Sequence, residues 1–398
     1  MNQVENVREE ARIWTKSFVS ISLTQFLIFT IFYTLITTLP VYVVTELQES
    51  ESKAGLVVTF MLLSAIVIRP FSAKITDVFG KKRTLIYSVI AYFLTTVSYL
   101  FVHHFIALAI VRFIHGISFG IVTTVTGAIV ANIVPPSRRG EGMGYFAMSM
   151  NIAVVIGPFI GLLLIQNVSF QLLFFILSIL MGISLIFAFL VETGERQSKK
   201  KPSFTTLRLE DLLDTKALPI GILSGMVGFS YGSILSFVPV YAQSLGLSAF
   251  SSYFFLIFAL LMIISRPYLG RAFDERGAHF VLLPSLILFA LGLGLLSITE
   301  GVLIFLLAAS VIGLGYGSIL PGFQTLSVQR AGIKRTSQAM STFFVLYDLG
   351  IGLGAFVWGL ISSSYSFSLM YAISASLVFI TSIAFHLYMR RIKSEKAV

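Results

Sequence analysis

Three side chains sit where an apolar sequence should carry none. Arg112 and His115 lie in one long hydrophobic run, and Asp348 lies near the middle of another. Placing an Asp or Arg at the centre of a bilayer costs about 2.5–3.5 kcal/mol on insertion scales, so each is expected to face a cavity or a partner. A carboxylate there can take up and release a proton. A guanidinium can tune that acid or hold an anionic group. An imidazole one helical turn from the guanidinium can carry a proton or satisfy a core hydrogen bond. Asp348 is the lone carboxylate deep in such a run, which makes it the first candidate for proton coupling, with Arg112 and His115 behind it.

Other chemistry has little to work with. The apolar runs hold no paired carboxylates, no Ser-His-Asp set and no cluster of metal-ligating residues, and no Gly-x-x-x-x-Gly-Lys loop exists for nucleotide-driven pumping. Cysteine is absent, which removes disulfides, thiolate catalysis and Cys-ligated metal sites. An enzyme is therefore disfavoured, and no cofactor or metal is expected.

The elements that must position these residues occur twice. Residues 69–80 read RPFSAKITDVFG and residues 266–277 read RPYLGRAFDERG, a match at an offset of 197, half the chain. The same offset carries Asp77 onto Asp274, Gly80 onto Gly277, Gly116 onto Gly313, Gly157 onto Gly354 and Asn151 onto Asp348. Self-similarity on this scale implies two homologous halves.

Composition says what the halves are. With 56% hydrophobic residues, 12% charged residues and a mean hydropathy of +0.91, the chain is that of a multi-pass membrane protein. Twelve runs reach the length of about 20 residues that spans a bilayer. Six fall in an N-terminal bundle, 1–191, and six in a C-terminal bundle, 217–398, joined by a linker, 192–216, that is either an interfacial amphipathic helix or a solvated tether. The polar first sixteen residues are followed by no small-residue cleavage site, so the first run is expected to stay as a helix.

The formal charge of +10 comes from Lys and Arg gathered before the first run, in alternate loops and the linker, and after the last run. By the positive-inside rule both termini and the linker are cytoplasmic, and the basic charge leaves no nucleic-acid partner to explain.

These residues resemble a known family. Ala73 to Arg83 is similar to the loop motif G-x-L-x-D-R-x-G-R-K-x of the major facilitator superfamily, with Ala73 in place of the first Gly and Val78 in place of an Arg. Arg112 with Gly116 resembles the fourth-helix motif of the twelve-helix drug/proton antiporter branch, with His115 where Gln is common. Gly157-Pro158-Phe159-Ile160-Gly161 resembles that branch's fifth-helix signature, with Leu162 replacing its last Gly.

The resemblance implies an all-α integral membrane fold of twelve transmembrane helices in two pseudo-symmetric six-helix bundles. It also implies a proton-coupled transporter that exports small amphipathic molecules by alternating access, as a monomer in the cell membrane. The turn at Asp77, Gly80 and Arg83 would latch against the start of the eleventh helix near Thr336, and Asp274 with Gly277 against the fifth near Arg139. Gly157 and Pro158 would bend the fifth helix, where Pro removes a backbone hydrogen bond. Gln25, Tyr33, Asn151, Tyr231 and Ser236 are candidates for the substrate cavity. Within transport, a proton symporter or facilitator for a sugar or organic acid stands as the alternative. From another class, a transport-dead membrane sensor does.

Overall fold

The computed structural model describes residues 12–135, 139–193, 214–332 and 336–397; a few side chains within helices, those of Asp77, Asn151 and Asp274 among them, lie outside the described residues, as does most of the linker. Among the described residues all regular structure is helical. In the first half the helices are α1 (Lys16–Thr45), α2 (Glu51–Phe79), α3 (Lys81–Ser98), α4 (Phe105–Ile133), α5 (Arg139–Ile165) and α6 (Phe170–Leu190). In the second half they are α7 (Leu218–Ser244), α8 (Ser251–Arg276), α9 (Ala278–Ser297), α10 (Val302–Ala331), α11 (Thr336–Ser364) and α12 (Phe367–Ala397). All twelve contain a stretch long and apolar enough to cross a membrane.

Each apolar run becomes one helix, and three of the helices carry polar residues in their last turns and stop at a glycine. α2 continues to Phe79, α8 to Arg276 and α10 to Ala331. Their polar last turns keep the backbone ladder until Gly80, Gly277 and Gly332, with φ of 80°, 83° and 85°. A residue with a Cβ is strained at such φ, so glycine sets these three stops. Gly80 and Gly277 are the two copies of the repeated turn.

By packing, the chain forms two compact units, residues 1–35 with 63–205 and residues 36–62 with 206–398. The first unit therefore excludes the second half of α1 and the first half of α2, which pack with the C-terminal helices.

Within the first unit α3 lies against α4 and α6. Phe32 of α1 stacks on Phe119 of α4, ring centroids 4.5 Å apart and nearly parallel. α1 and α5 approach closely at Gly157: a Cβ there would stand 2.8 Å from the Tyr33 Cβ, and the Thr34 hydroxyl donates to the Gly157 carbonyl at 3.0 Å. Lys82, near the start of α3, donates to the carbonyls of Ala188 (3.1 Å), Phe189 (2.6 Å) and Val191 at the end of α6.

Within the second unit the tightest pairing is α7 with α11. A Cβ added to Gly350 would collide with the Gly225 carbonyl, and one on Gly354 with that of Phe229. Small residues let backbones touch in this way where lipid supplies no hydrophobic drive between helices. Trp358 of α11 seals the contact, donating from Nε1 to the Phe229 carbonyl at 2.7 Å. The N-terminal half of α2 joins α11 by the same means: the Thr59 hydroxyl donates to the Gly352 carbonyl at 2.6 Å, and a Cβ on Gly359 would stand 2.6 Å from the Glu51 carbonyl oxygen.

Candidate functional site

The first unit holds a buried polar cluster. Arg112 and His115 lie one turn apart on α4, and both are 0% exposed. Tyr99, in the short turn that ends α3, hydrogen-bonds His115 Nδ1 through its hydroxyl at 2.8 Å, and the same oxygen accepts from Arg112 Nη1 at 3.5 Å. His115 Nε2 has no hydrogen-bond partner among the described residues. Aromatic rings close the cluster: Tyr92 meets the imidazole edge-on with centroids 4.0 Å apart, and Phe174 of α6 lies 5.5 Å from Tyr99. A guanidinium removed from water needs such partners to be tolerated.

The second unit places Asp348 on α11, half-buried and ten residues from the nearer end of the span Gln338–Ser364. At a rise of about 1.5 Å per residue this is about 15 Å along the helix from that end. No other Asp or Glu lies away from the end of a span. Next to it, the Tyr347 hydroxyl forms a hydrogen bond with that of Tyr316 on α10. Tyr316 in turn stacks on Tyr231 of α7, centroids 4.2 Å apart and 17° between planes, and Phe343 stacks on Tyr347. A narrow crease beside Tyr316, Phe343 and Tyr347 is lined also by Ser224, Val227, Ile319 and Phe323.

The remaining candidates fall as follows. Gln25 is buried and its Oε1 accepts from Thr126 of α4 at 2.8 Å, so it serves an α1–α4 contact. Tyr33 is half-buried, its ring 4.9 Å from Phe32. Tyr231 and Ser236 are buried on α7, and the Ser236 hydroxyl has no hydrogen-bond partner among the described residues. Pro158 sits inside α5, which runs through it to Ile165. Arg83 is exposed in the first turn of α3. The side chains of Asp77, Asn151 and Asp274 lie outside the described residues, so the latch contacts and the pairing of depths between Asn151 and Asp348 lie there too.

Sequence reading passed over Tyr99, Tyr316, Tyr347 and Lys82. A signal for Tyr316 was available: the repeat offset maps it onto Phe119, and each ring stacks on the first helix of its own half. Tyr99 had no such signal, because its contact to His115 arises from the turn that folds α3 back along α4.

With this geometry in place, the comparisons with known proteins fix the class. The sequence model of the Major Facilitator Superfamily matches residues 21–355 and 255–398. The chain belongs to that superfamily. It is a transporter of small molecules and not an enzyme. The chain is similar to the staphylopine export protein of Staphylococcus aureus, 25% identical over 84% of this chain and 87% of that one. It is likewise similar to the multidrug resistance protein MdtG of Salmonella arizonae, 24% identical over 87% and 88%. Among solved structures, that of the nucleoside transporter NupG superposes with a TM-score of 0.74 at 15% identity, over 94% of this chain and 99% of the other, a likeness of fold.

Proposed function

We propose that the protein is a proton-coupled exporter of small amphipathic molecules, working by alternating access in the cell membrane with both termini in the cytoplasm. One observation carries the reading: Asp348 is the one carboxylate placed away from the end of a span, on a helix whose Phe343 and Tyr347 join an aromatic cluster with Tyr316 and Tyr231. Similarity to proteins named for export and multidrug resistance supports the direction of transport.

In this reading Asp348 takes up and releases the coupling proton, and the rings of Tyr231, Tyr316 and Tyr347 offer π-faces to a cargo that is apolar over most of its surface. Arg112 supplies a fixed buried charge, and His115 beside it is the next proton carrier in line. The two copies of the Asp-Gly turn, at Asp77 and Asp274, gate the cytoplasmic side. A proton moving down the membrane potential is worth about 2.3 kcal/mol per 100 mV, enough to drive a modest gradient of neutral cargo one for one.

The test is Asp348→Asn in proteoliposomes, screened against cationic, neutral and anionic amphiphiles. The variant keeps size and hydrogen bonding but cannot titrate, so gradient-driven accumulation should vanish while downhill exchange of a neutral substrate persists. Uphill transport with unchanged pH dependence would remove Asp348 from coupling and turn attention to His115.

A further inference from the structure

The two halves join the start of their third helix to their sixth at matching positions, at the end of α6 but inside α12, which runs on to Ala397, and they do so with different chemistry. In the first half Lys82, two residues after Gly80, donates to the carbonyls of Ala188, Phe189 and Val191 at the end of α6. The repeat offset carries Lys82 onto His279, two residues after Gly277, and Phe189 onto His386 of α12. His279 Nε2 and His386 Nδ1 stand 2.8 Å apart, hydrogen-bonded, with both rings half-buried and Phe385 stacked against His279. The same tie is thus made by an ammonium on backbone carbonyls in one half and by two imidazoles in the other.

That difference has a chemical consequence. A lysine donating to carbonyls keeps its charge across the physiological range. Two imidazoles joined nitrogen to nitrogen need one bare nitrogen, so the pair holds its hydrogen bond while at least one ring is neutral and loses it when both carry a second proton. Imidazole is the side chain that changes charge between about pH 5 and 8.

The charged groups on the elements packed against the pair whose side chains are described are Glu275 and Arg276 from α8, Arg330 from α10, Asp348 from α11, Asp214 and Lys216 leading into α7, and Arg390 and Arg391 on α12 itself, where Tyr388 also lies. Arg266, Arg271 and Asp274 of α8 and Lys393, Glu395 and Lys396 of α12 have side chains outside the described residues. Arg276 lies over the ring of Phe280, the residue after His279, 4.9 Å from its centroid. Asp214 Oδ1 is taken by the amides of Lys216 and Ala217.

We propose that His279 and His386 form a proton-operated clasp, closed while the pair has a bare ring nitrogen and released by acid, which fastens or frees the start of α9 behind the second copy of the repeated turn. The first copy, tied by Lys82, is indifferent to pH over the same range.

Amide hydrogen exchange on the purified full chain tests this, corrected for intrinsic rates between about pH 8 and about pH 5. The start of α9, residues 278–284, should lose protection roughly two- to tenfold on acidification, the worth of one hydrogen bond, while the start of α3, residues 81–87, stays level. His279→Lys, which replaces the titrating imidazole with a group charged across this range, should flatten the profile of the start of α9. A wild-type start of α9 as level as that of α3, or a His279→Lys profile that still falls with acid, overturns the clasp. Should His279→Lys fail to fold, the comparison of the two halves in the wild type decides alone.

Discussion

Ser169 and Ser366, 197 residues apart, cap the sixth and twelfth helices in the same way. Each hydroxyl accepts the amide proton of the residue three places on, Leu172 at 3.3 Å and Leu369 at 3.1 Å. An N-cap hydroxyl satisfies one of the amides that the first turn leaves without a partner, and its loss to Ala costs about 1 kcal/mol. Ser169→Ala and Ser366→Ala should therefore lower the thermal unfolding midpoint in detergent by similar amounts, and the double variant by their sum, since the sites are far apart in sequence and sit in different units.

The hydroxyls of Tyr316 and Tyr347 bond to one another between α10 and α11. Tyr316→Phe and Tyr347→Phe each remove that bond, so their effects on stability should not add. A double-mutant cycle read from denaturant or thermal unfolding should return a coupling of about 1 kcal/mol. Additive losses would mean that the hydroxyls do not support one another.

Close approach of α7 and α11 depends on Gly350 and Gly354. A Cβ at either position meets the backbone of α7, which cannot yield as a side-chain tip can. Gly354→Ala should destabilise the protein by about 1–3 kcal/mol, the usual cost of overpacking. Gly270→Ala on α8 is the control: nothing lies within 4 Å of its Cβ position, and Ala favours a helix over Gly by about 1 kcal/mol, so stability should hold or rise.

Asp77→Asn tests the proposed cytoplasmic latch. Spin-label distances across the cytoplasmic mouth should shift toward an open population, and transport should fall with expression near normal. Asp274→Asn should do less, because the first copy continues beyond Gly80 as Lys81-Lys82-Arg83 where the second reads Ala278-His279-Phe280. Unchanged distances in Asp77→Asn would remove the latch.

The absence of cysteine makes orientation testable without a prior substitution background. Single cysteines at Ser50 and His103 should react with an impermeant maleimide in intact cells, and those at Ser198 and Thr336 only after lysis. External labelling at Ser198 would invert the proposed orientation.

The sequence by itself determined the twelve helices and the twofold repeat. Both are set by local quantities: an apolar run of bilayer length must satisfy its own backbone, so it becomes a helix, and a fixed offset between two copies survives in the residues themselves. Helix ends were less legible, since the polar last turns of α2, α8 and α10 carry no hydropathy signal and stop at glycines whose positive φ appears only once the backbone is built. Composition also singled out Arg112, His115 and Asp348, because charge is costly in an apolar run wherever that run ends up.

The tertiary structure decided what surrounds them. Tyr99 reaches His115 across a turn, Tyr316 meets Tyr347 between two helices, and His279 meets His386 across 107 residues. Gln25, singled out for its polarity, accepts from Thr126 across 101 residues. Residues 36–62 pack with the C-terminal helices, with Gly55, Thr59 and the glycines of α11 permitting backbone contact there. These relations depend on which face of each helix meets which neighbour. A sequence that is hydrophobic on nearly every face, in lipid as in the core, leaves that choice to shape, to small residues and to a few hydrogen bonds.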